Sequence, residues 1–150
     1  MSVRDILKEK DITSIYSVAP DATVYDAIAE MSSRNVGAML VMQDGKLAGI
    51  LTERDYLREV ILKGRSSRET PVTDIMSRTV IYIEPDCSVD EALNIMTEKR
   101  IRHLPVLDQG TVVGVVSIGD LVKAKIVKHE LHIRTLEAYI ADQYPGPGTA

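Results

Sequence analysis

Residues 20–57 recur as residues 85–122, at a constant offset of 65 and without a gap. Nine of the 38 aligned positions are identical: Pro20/Pro85, Asp21/Asp86, Val24/Val89, Ala27/Ala92, Met31/Met96, Val41/Val106, Gly45/Gly110, Gly49/Gly114 and Asp55/Asp120. A chain organised this way folds as a duplicated unit, because matched spacing implies matched elements. With 150 residues in all, the copies form one compact domain or two very small intertwined ones. Roughly 68–70% of the unfolded surface of such a chain can be buried, so neither metal nor disulfide is needed to hold a core.

Both copies read alike. A short apolar run (12–18; 80–83) precedes Pro-Asp-Ala-Thr or Pro-Asp-Cys-Ser, which makes Thr23 and Ser88 helix N-caps. Apolar residues follow at helical spacing, Val24, Ile28 and Met31 in one copy and Val89, Leu93 and Met96 in the other. Each marks a helix of about ten residues. Two β runs then flank Asp44-Gly45, and two more flank Gln109-Gly110, which reads as a hairpin in each copy. A second helix starts at Thr52 and at Ser117. The unit is therefore β-α-β-β-α, twice, and the class is α+β.

The expected division is unit one with an N-terminal lead segment over 1–62, a linker over 63–71, unit two over 72–128, and a helical extension with a flexible tail over 129–150. The linker assignment rests on a polar stretch without apolar periodicity that ends in Pro71. Val72-Thr73-Asp74-Ile75-Met76 echoes Val3-Arg4-Asp5-Ile6-Leu7, so each unit begins with a short lead. The last helix is long, with Val122, Ile126, Ile133, Leu136 and Ile140 on one stripe around His129. From Ile126 to Ile140 the steps are those of a heptad helix pair.

Composition narrows the partners. Eighteen basic side chains against 22 acidic ones leave a net charge of −4, and there is no Trp or Phe. A nucleic-acid face needs a basic stripe and aromatic platforms, so DNA and RNA are not expected partners. Cys87 is the sole cysteine, which fits a reducing compartment. No apolar run approaches a membrane span, and the first residues lack a secretory pattern. The expectation is a complete cytoplasmic protein with no metal site. His129 and His132 have no Cys or acidic companions at ligand spacing.

The order of these features resembles a pair of CBS domains, named after cystathionine beta-synthase. The resemblance is carried by the tandem β-α-β-β-α units and the Pro-Asp-x-Thr/Ser-Val starts. It is also carried by Arg102-His103-Leu104-Pro105-Val106 before the second hairpin, and by Gly49 to Asp55 and Gly114 to Asp120 after the two hairpins. It covers about residues 3–128. It implies two units packed about a pseudo-twofold axis, with two clefts for adenosine-containing ligands. Pairs similar to this one dimerise further into a flat disc of four units.

Thr52-x-x-Asp55 and Ser117-x-x-Asp120 are capping boxes by their residue types alone. The same arrangement suits a nucleotide. Amides at the helix start and a hydroxyl meet a phosphate, and the carboxylate accepts a ribose diol. The residues leave both readings open. The resemblance implies that Asp55 and Asp120 hold ribose and that Thr52 and Ser117 face phosphate. It further implies that the Asp120 cleft is lined by the Tyr16 region with Val36, Gly37 and Ala38. The Asp55 cleft would take the Ile81 region with Ile101, Arg102 and His103. Arg102 and His103 read either as solvated charges or as phosphate ligands. So does Arg54, whose i,i+4 neighbour is Arg58. Arg58, Lys63, Arg65 and Arg68 against Glu59 make a local excess of +3, either a solvated linker or a polyphosphate neighbour.

Two function classes follow. In the first the protein is a regulatory sensor, not an enzyme. It binds AMP, ATP or NAD, with S-adenosylmethionine ranked behind them, and signals as a homodimer to an unknown effector protein. In the second it is a constitutive dimerisation scaffold whose caps are only caps.

Overall fold

The computed structural model describes residues 1–9, 16–127 and 129. Helix α1 (Val3–Glu9) is followed by strand β1 (Ser17–Val18), helix α2 (Val24–Arg34), and strands β2 (Ala38–Gln43) and β3 (Lys46–Thr52). A single α turn, α3 (Glu53–Tyr56), widens into a π turn at Leu57–Ile61. After a 3₁₀ turn at Val72–Asp74 come α4 (Val89–Lys99), β4 (His103–Asp108) and β5 (Thr111–Ser117). Residues 118–127 are helical, here α5. The order is that of a tandem α+β pair. The later part of the expected stripe, Ile133 to Ile140, lies outside the described residues.

The local signals act as the residue types dictate. Thr23 Oγ1 accepts from the Asp26 amide and Ser88 Oγ from the Glu91 amide, each closing the first turn of its helix. Both hairpins turn on two residues with positive φ, Asp44 (53°) with Gly45 (77°) and Gln109 (51°) with Gly110 (82°). Such turns match the twist of the flanking strands. β2 pairs with β3 and β4 with β5 antiparallel, in corresponding registers: Val41 faces Gly49 as Val106 faces Gly114. β1 joins β2 in parallel, whereas the run 80–83 contributes one parallel bridge, Ile83 to Val106. The first part of the other expected run, 12–15, lies outside the described residues.

The two lead segments are exchanged. Val3 and Ile6 of α1 are buried with Ile83, Val89, Ala92, Met96, Leu104 and Val106, which belong to the second copy. Val72, Ile75 and Met76 are buried with Val24, Ala27, Val41, Leu51 and Val60, which belong to the first. Backbone bonds fix the exchange. The amides of Val3 and Arg4 donate to Cys87 and Pro85 carbonyls at 2.9 Å each, and that of Val72 to Ala22 at 2.9 Å. Val24 and Tyr25 donate to Thr70 (2.8 Å) and Ser67 (2.9 Å), so residues of the linker satisfy amides that α2 itself cannot. Each core is thus completed by chain from the other half.

Gly49 is a point of contact for one exchanged segment. A Cβ there would lie 2.7 Å from Met76 Sδ and 2.8 Å from the Ser77 carbonyl oxygen. That carbonyl is pinned, since Ser77 and Ile50 exchange backbone bonds of 2.9 and 3.0 Å. Gly49→Ala is therefore expected to cost about 1–3 kcal/mol, as overpacking does. Urea denaturation would read this, and an unchanged midpoint would mean that 76–77 yields freely.

Candidate functional site

The end of β3 and the start of α3 form one wall of a cleft between the copies. Thr52 is extended (φ −119°, ψ 164°) and caps α3 reciprocally. Its amide and hydroxyl both donate to Asp55 Oδ2, at 2.9 and 3.0 Å, while Oγ1 accepts from the Asp55 amide at 3.2 Å. All the capping bonds to the carboxylate fall on one oxygen. Asp55 therefore caps the helix and still presents Oδ1. The second copy repeats the cap: the Ser117 amide donates to Asp120 Oδ2 at 2.8 Å, and Ser117 Oγ accepts from the Asp120 amide at 3.1 Å.

Some of the helix-start amides are already engaged. Glu53 N–H donates to the Gly37 carbonyl at 3.1 Å, Asp55 N–H is held by Thr52, and Ile118 N–H donates to the Arg102 carbonyl at 2.8 Å. The residue before the facing strand thus takes the first amide of each helix.

The cavity at Asp55 has a volume of about 670 Å³. Ile50, Thr52, Glu53, Arg54, Asp55, Leu57 and Arg58 of the first copy line it, with Gly37. Opposite them are Ser77, Thr79, Val80 and Ile81, and Lys99 through His103. Ile81, Ile101, Arg102 and His103 are among these lining residues. So is Arg54, and its Nη1 also crosses to the Arg100 carbonyl at 3.3 Å. Gly37, expected at the other cleft, borders this one. A Cβ on it would come within 3.1 Å of His103 Cε1, so the glycine permits the two copies to close there.

Tyr16, Val36 and Ala38 are not part of this cavity's lining. Ala38 pairs with Thr52 across the hairpin, and the half-buried Val36 donates its amide to Met31. The Tyr16 ring lies under the Arg34 guanidinium at 4.9 Å. By the offset of 65, the counterparts of Ser77, Thr79 and Val80 are 12, 14 and 15. These lie outside the described residues, so only the Asp55 cleft is drawn on all sides.

Three charge readings are decided by geometry. Lys63 pairs with Glu59, Arg65 with Asp74, and Arg68 stacks on Tyr25 at 3.8 Å, so the linker cations are engaged away from the cleft. The cleft's positive charge comes instead from Arg54, Arg58, Lys99, Arg100 and Arg102, against Glu53 and Asp55. Lys99 and Arg100 were missed by sequence reasoning, although Lys99-Arg100-Ile101-Arg102-His103 is a basic run without an acid. At Cys87, burial and the Glu91 carboxylate 3.7 Å away push the thiol up from its ordinary value. It is not an activated nucleophile. Among the described residues no group of three or more His, Cys, Asp or Glu is placed to hold a metal ion.

Comparison with known proteins bears on these features. The CBS domain family model matches residues 3–62 and 72–126. The mitochondrial CBS domain-containing protein CBSX3 of Arabidopsis thaliana is 42% identical over 95% of this chain and 73% of its own length. A putative signal-transduction protein with CBS domains from Burkholderia ambifaria superposes with a TM-score of 0.80 at 43% identity, covering 99% of this chain and all of that one. The CBS domain protein PAE2072 of Pyrobaculum aerophilum, solved with AMP, shares the fold at a TM-score of 0.71 and 24% identity, over 80% of this chain and 89% of its own.

Proposed function

The chain belongs to the CBS domain family, and on that footing we propose that it is a regulatory adenine-nucleotide-binding module. The ligand, of the AMP, ATP or NAD type, sits in the Asp55 cleft. One observation carries this reading: a cavity walled by both copies, in which a capping carboxylate keeps one oxygen for a ligand. The ribose diol binds Asp55 Oδ1. The adenine lies against Ile50, Val80, Ile81 and Ile101, where apolar lining meets strand-edge backbone. Phosphate meets Arg54, Arg102 and His103. S-adenosylmethionine ranks behind the nucleotides because its sulfonium is a cation among cations.

A ligand that touches both halves stabilises the arrangement in which both touch it, and that shift is the signal a partner protein reads. The module is a binder rather than an enzyme, so nucleotide is recovered unchanged after prolonged incubation. Among the described residues no helix is long and apolar enough to cross a membrane. Neither membrane nor nucleic acid enters the proposal, and the cytoplasmic setting belongs to it. The test is a thermal-shift panel of AMP, ADP, ATP, NAD and S-adenosylmethionine on ligand-stripped protein. No shift with any of them would leave the scaffold reading in its place.

That second reading has an observation of its own. Leu57, Ile61 and Leu62 are 55%, 52% and 79% exposed, and their counterparts at the offset of 65, Val122, Ile126 and Val127, are 40%, 56% and 48% exposed. Two matched apolar faces fit a homodimer, because a second copy related by a twofold covers both. The double variant Ile61→Glu with Ile126→Glu is expected to run as a monomer in light scattering. A persistent dimer would place the interface elsewhere.

A further inference from the structure

We propose that Ser66, in the segment joining the two copies, is a phosphorylation site for a serine kinase that reads basic residues. The site is independent of the nucleotide reading and needs no ligand in the Asp55 cleft. It gives a role to the linker cations, which the cleft does not use.

The joining segment is an ordered strap. Carbonyls of Thr70 and Ser67 accept the first two amides of α2, Thr23 bridges Pro71, and the Arg65 amide donates to the Val60 carbonyl at 3.0 Å. Three hydroxyl groups lie in this strap, and the fold treats each differently. Thr70 is 4% exposed and donates to the Ser66 carbonyl at 2.6 Å. Ser67 is half-buried, with its hydroxyl 3.3 Å from that of Tyr56. Ser66 is exposed, and among the described residues its hydroxyl makes no hydrogen bond. Phosphoryl transfer needs an alcohol oxygen that can reach the donor in line, so in the folded chain the strap offers Ser66.

The flanking charges supply the recognition. Lys63 stands three residues before Ser66, Arg65 directly before it and Arg68 two after it, and all three are exposed. Lys63 and Arg65 are held by Glu59 and Asp74 in surface pairs, which contribute little and yield to an acidic groove on another protein. Ser32 and Ser33 also adjoin a cation, Arg34, but both lie inside α2, and Ser33 donates to the Glu30 carbonyl.

In the transfer, Ser66 Oγ attacks the γ-phosphorus of a nucleoside triphosphate held by the kinase. The Oγ–P bond forms, the bond to the β,γ-bridging oxygen breaks, the diphosphate leaves, and the hydroxyl proton passes to the kinase's base. The phosphate adds a charge of about −2, so the excess of +3 over residues 58–68 falls to about +1. It also offers Arg65 a bidentate partner stronger than Asp74. Arg65 is thereby handed from the turn at Val72–Asp74, which leads the exchanged segment, to the strap itself.

The test incubates the native full chain with ATP and the catalytic subunit of a cyclic-AMP-dependent protein kinase, and places the phosphate by mass spectrometry. One phosphate per chain on Ser66 is expected. Incorporation should fall about tenfold or more in Ser66→Ala and in the double variant Lys63→Ala with Arg65→Ala, as loss of charge-assisted recognition implies for the latter, and stay unchanged in Ser67→Ala. Phosphorus NMR then reads the handover: the second ionisation of the phosphoserine lies below that of free phosphoserine, because a neighbouring cation favours the dianion, and rises in Arg65→Gln. No incorporation, equal incorporation in Ser66→Ala, or incorporation only after unfolding in urea would overturn the site. An ionisation unmoved by Arg65→Gln would overturn the handover to the phosphate.

Discussion

Asp55→Ala is expected to abolish the thermal stabilisation that an adenine nucleotide gives this protein, whereas Asp120→Ala retains the shift produced by ATP. At 100 times its dissociation constant a ligand adds about 2.7 kcal/mol, roughly 5–10 °C for a domain of this size. The variant also loses the acceptor for the Thr52 amide, so its unliganded melting point falls, by about 1 kcal/mol in stability. The quantity to compare is therefore the ligand-induced shift, not the melting point. Asp55→Asn separates the roles: the amide oxygen still accepts the capping bond, but the charge that favours ribose hydroxyls is gone. If Asp55→Ala keeps the full shift, the carboxylate is a cap alone and the adenosine is elsewhere.

Val3→Asp is expected to be the most damaging single change, and to damage the half of the fold distant in sequence. Val3 is completely buried among residues of the second copy. A carboxylate there has no partner, and burying an unpaired charge costs about 4 kcal/mol or more, a large share of the 5–15 kcal/mol typical of a domain. Hydrogen exchange should show β4 and β5 losing protection before β2 and β3. Val72→Asp should show the reverse, because Val72 is buried in the first copy's core. Loosening of β2 and β3 by Val3→Asp would contradict the exchange of lead segments.

Much of the local structure was legible before any coordinates. The caps at Thr23, Ser88, Thr52 and Ser117, the two Gly-containing turns and the helix stripes depend on neighbours within a few residues. Short-range hydrogen bonds and side-chain periodicity decide these, and both are written in the order of the residues. The placing of the 81 and 101–103 segments opposite Asp55 came from the resemblance to CBS pairs, not from the residues themselves.

The charge of the cleft was not accessible in the same way. Arg58, Lys63, Arg65 and Arg68 form the obvious basic run, yet three of these four are engaged by Glu59, Asp74 and Tyr25. Lys99 and Arg100, at the end of α4, carried no local signal of a site. Whether a cation is paired depends on which acid the fold brings within reach, and that acid is seldom a near neighbour in sequence.

The sequence by itself determined the duplicated β-α-β-β-α unit, its caps and turns, and the family. Only the tertiary structure decided which lead segment completes which core, that the first amide of α3 and of α5 is taken by the facing strand start, and that Lys99 and Arg100 join Arg54, Arg58 and Arg102 around one cavity. The first set follows from contacts along the chain. The second follows from contacts across it, between surfaces that repeat in sequence but differ in what each residue finds opposite.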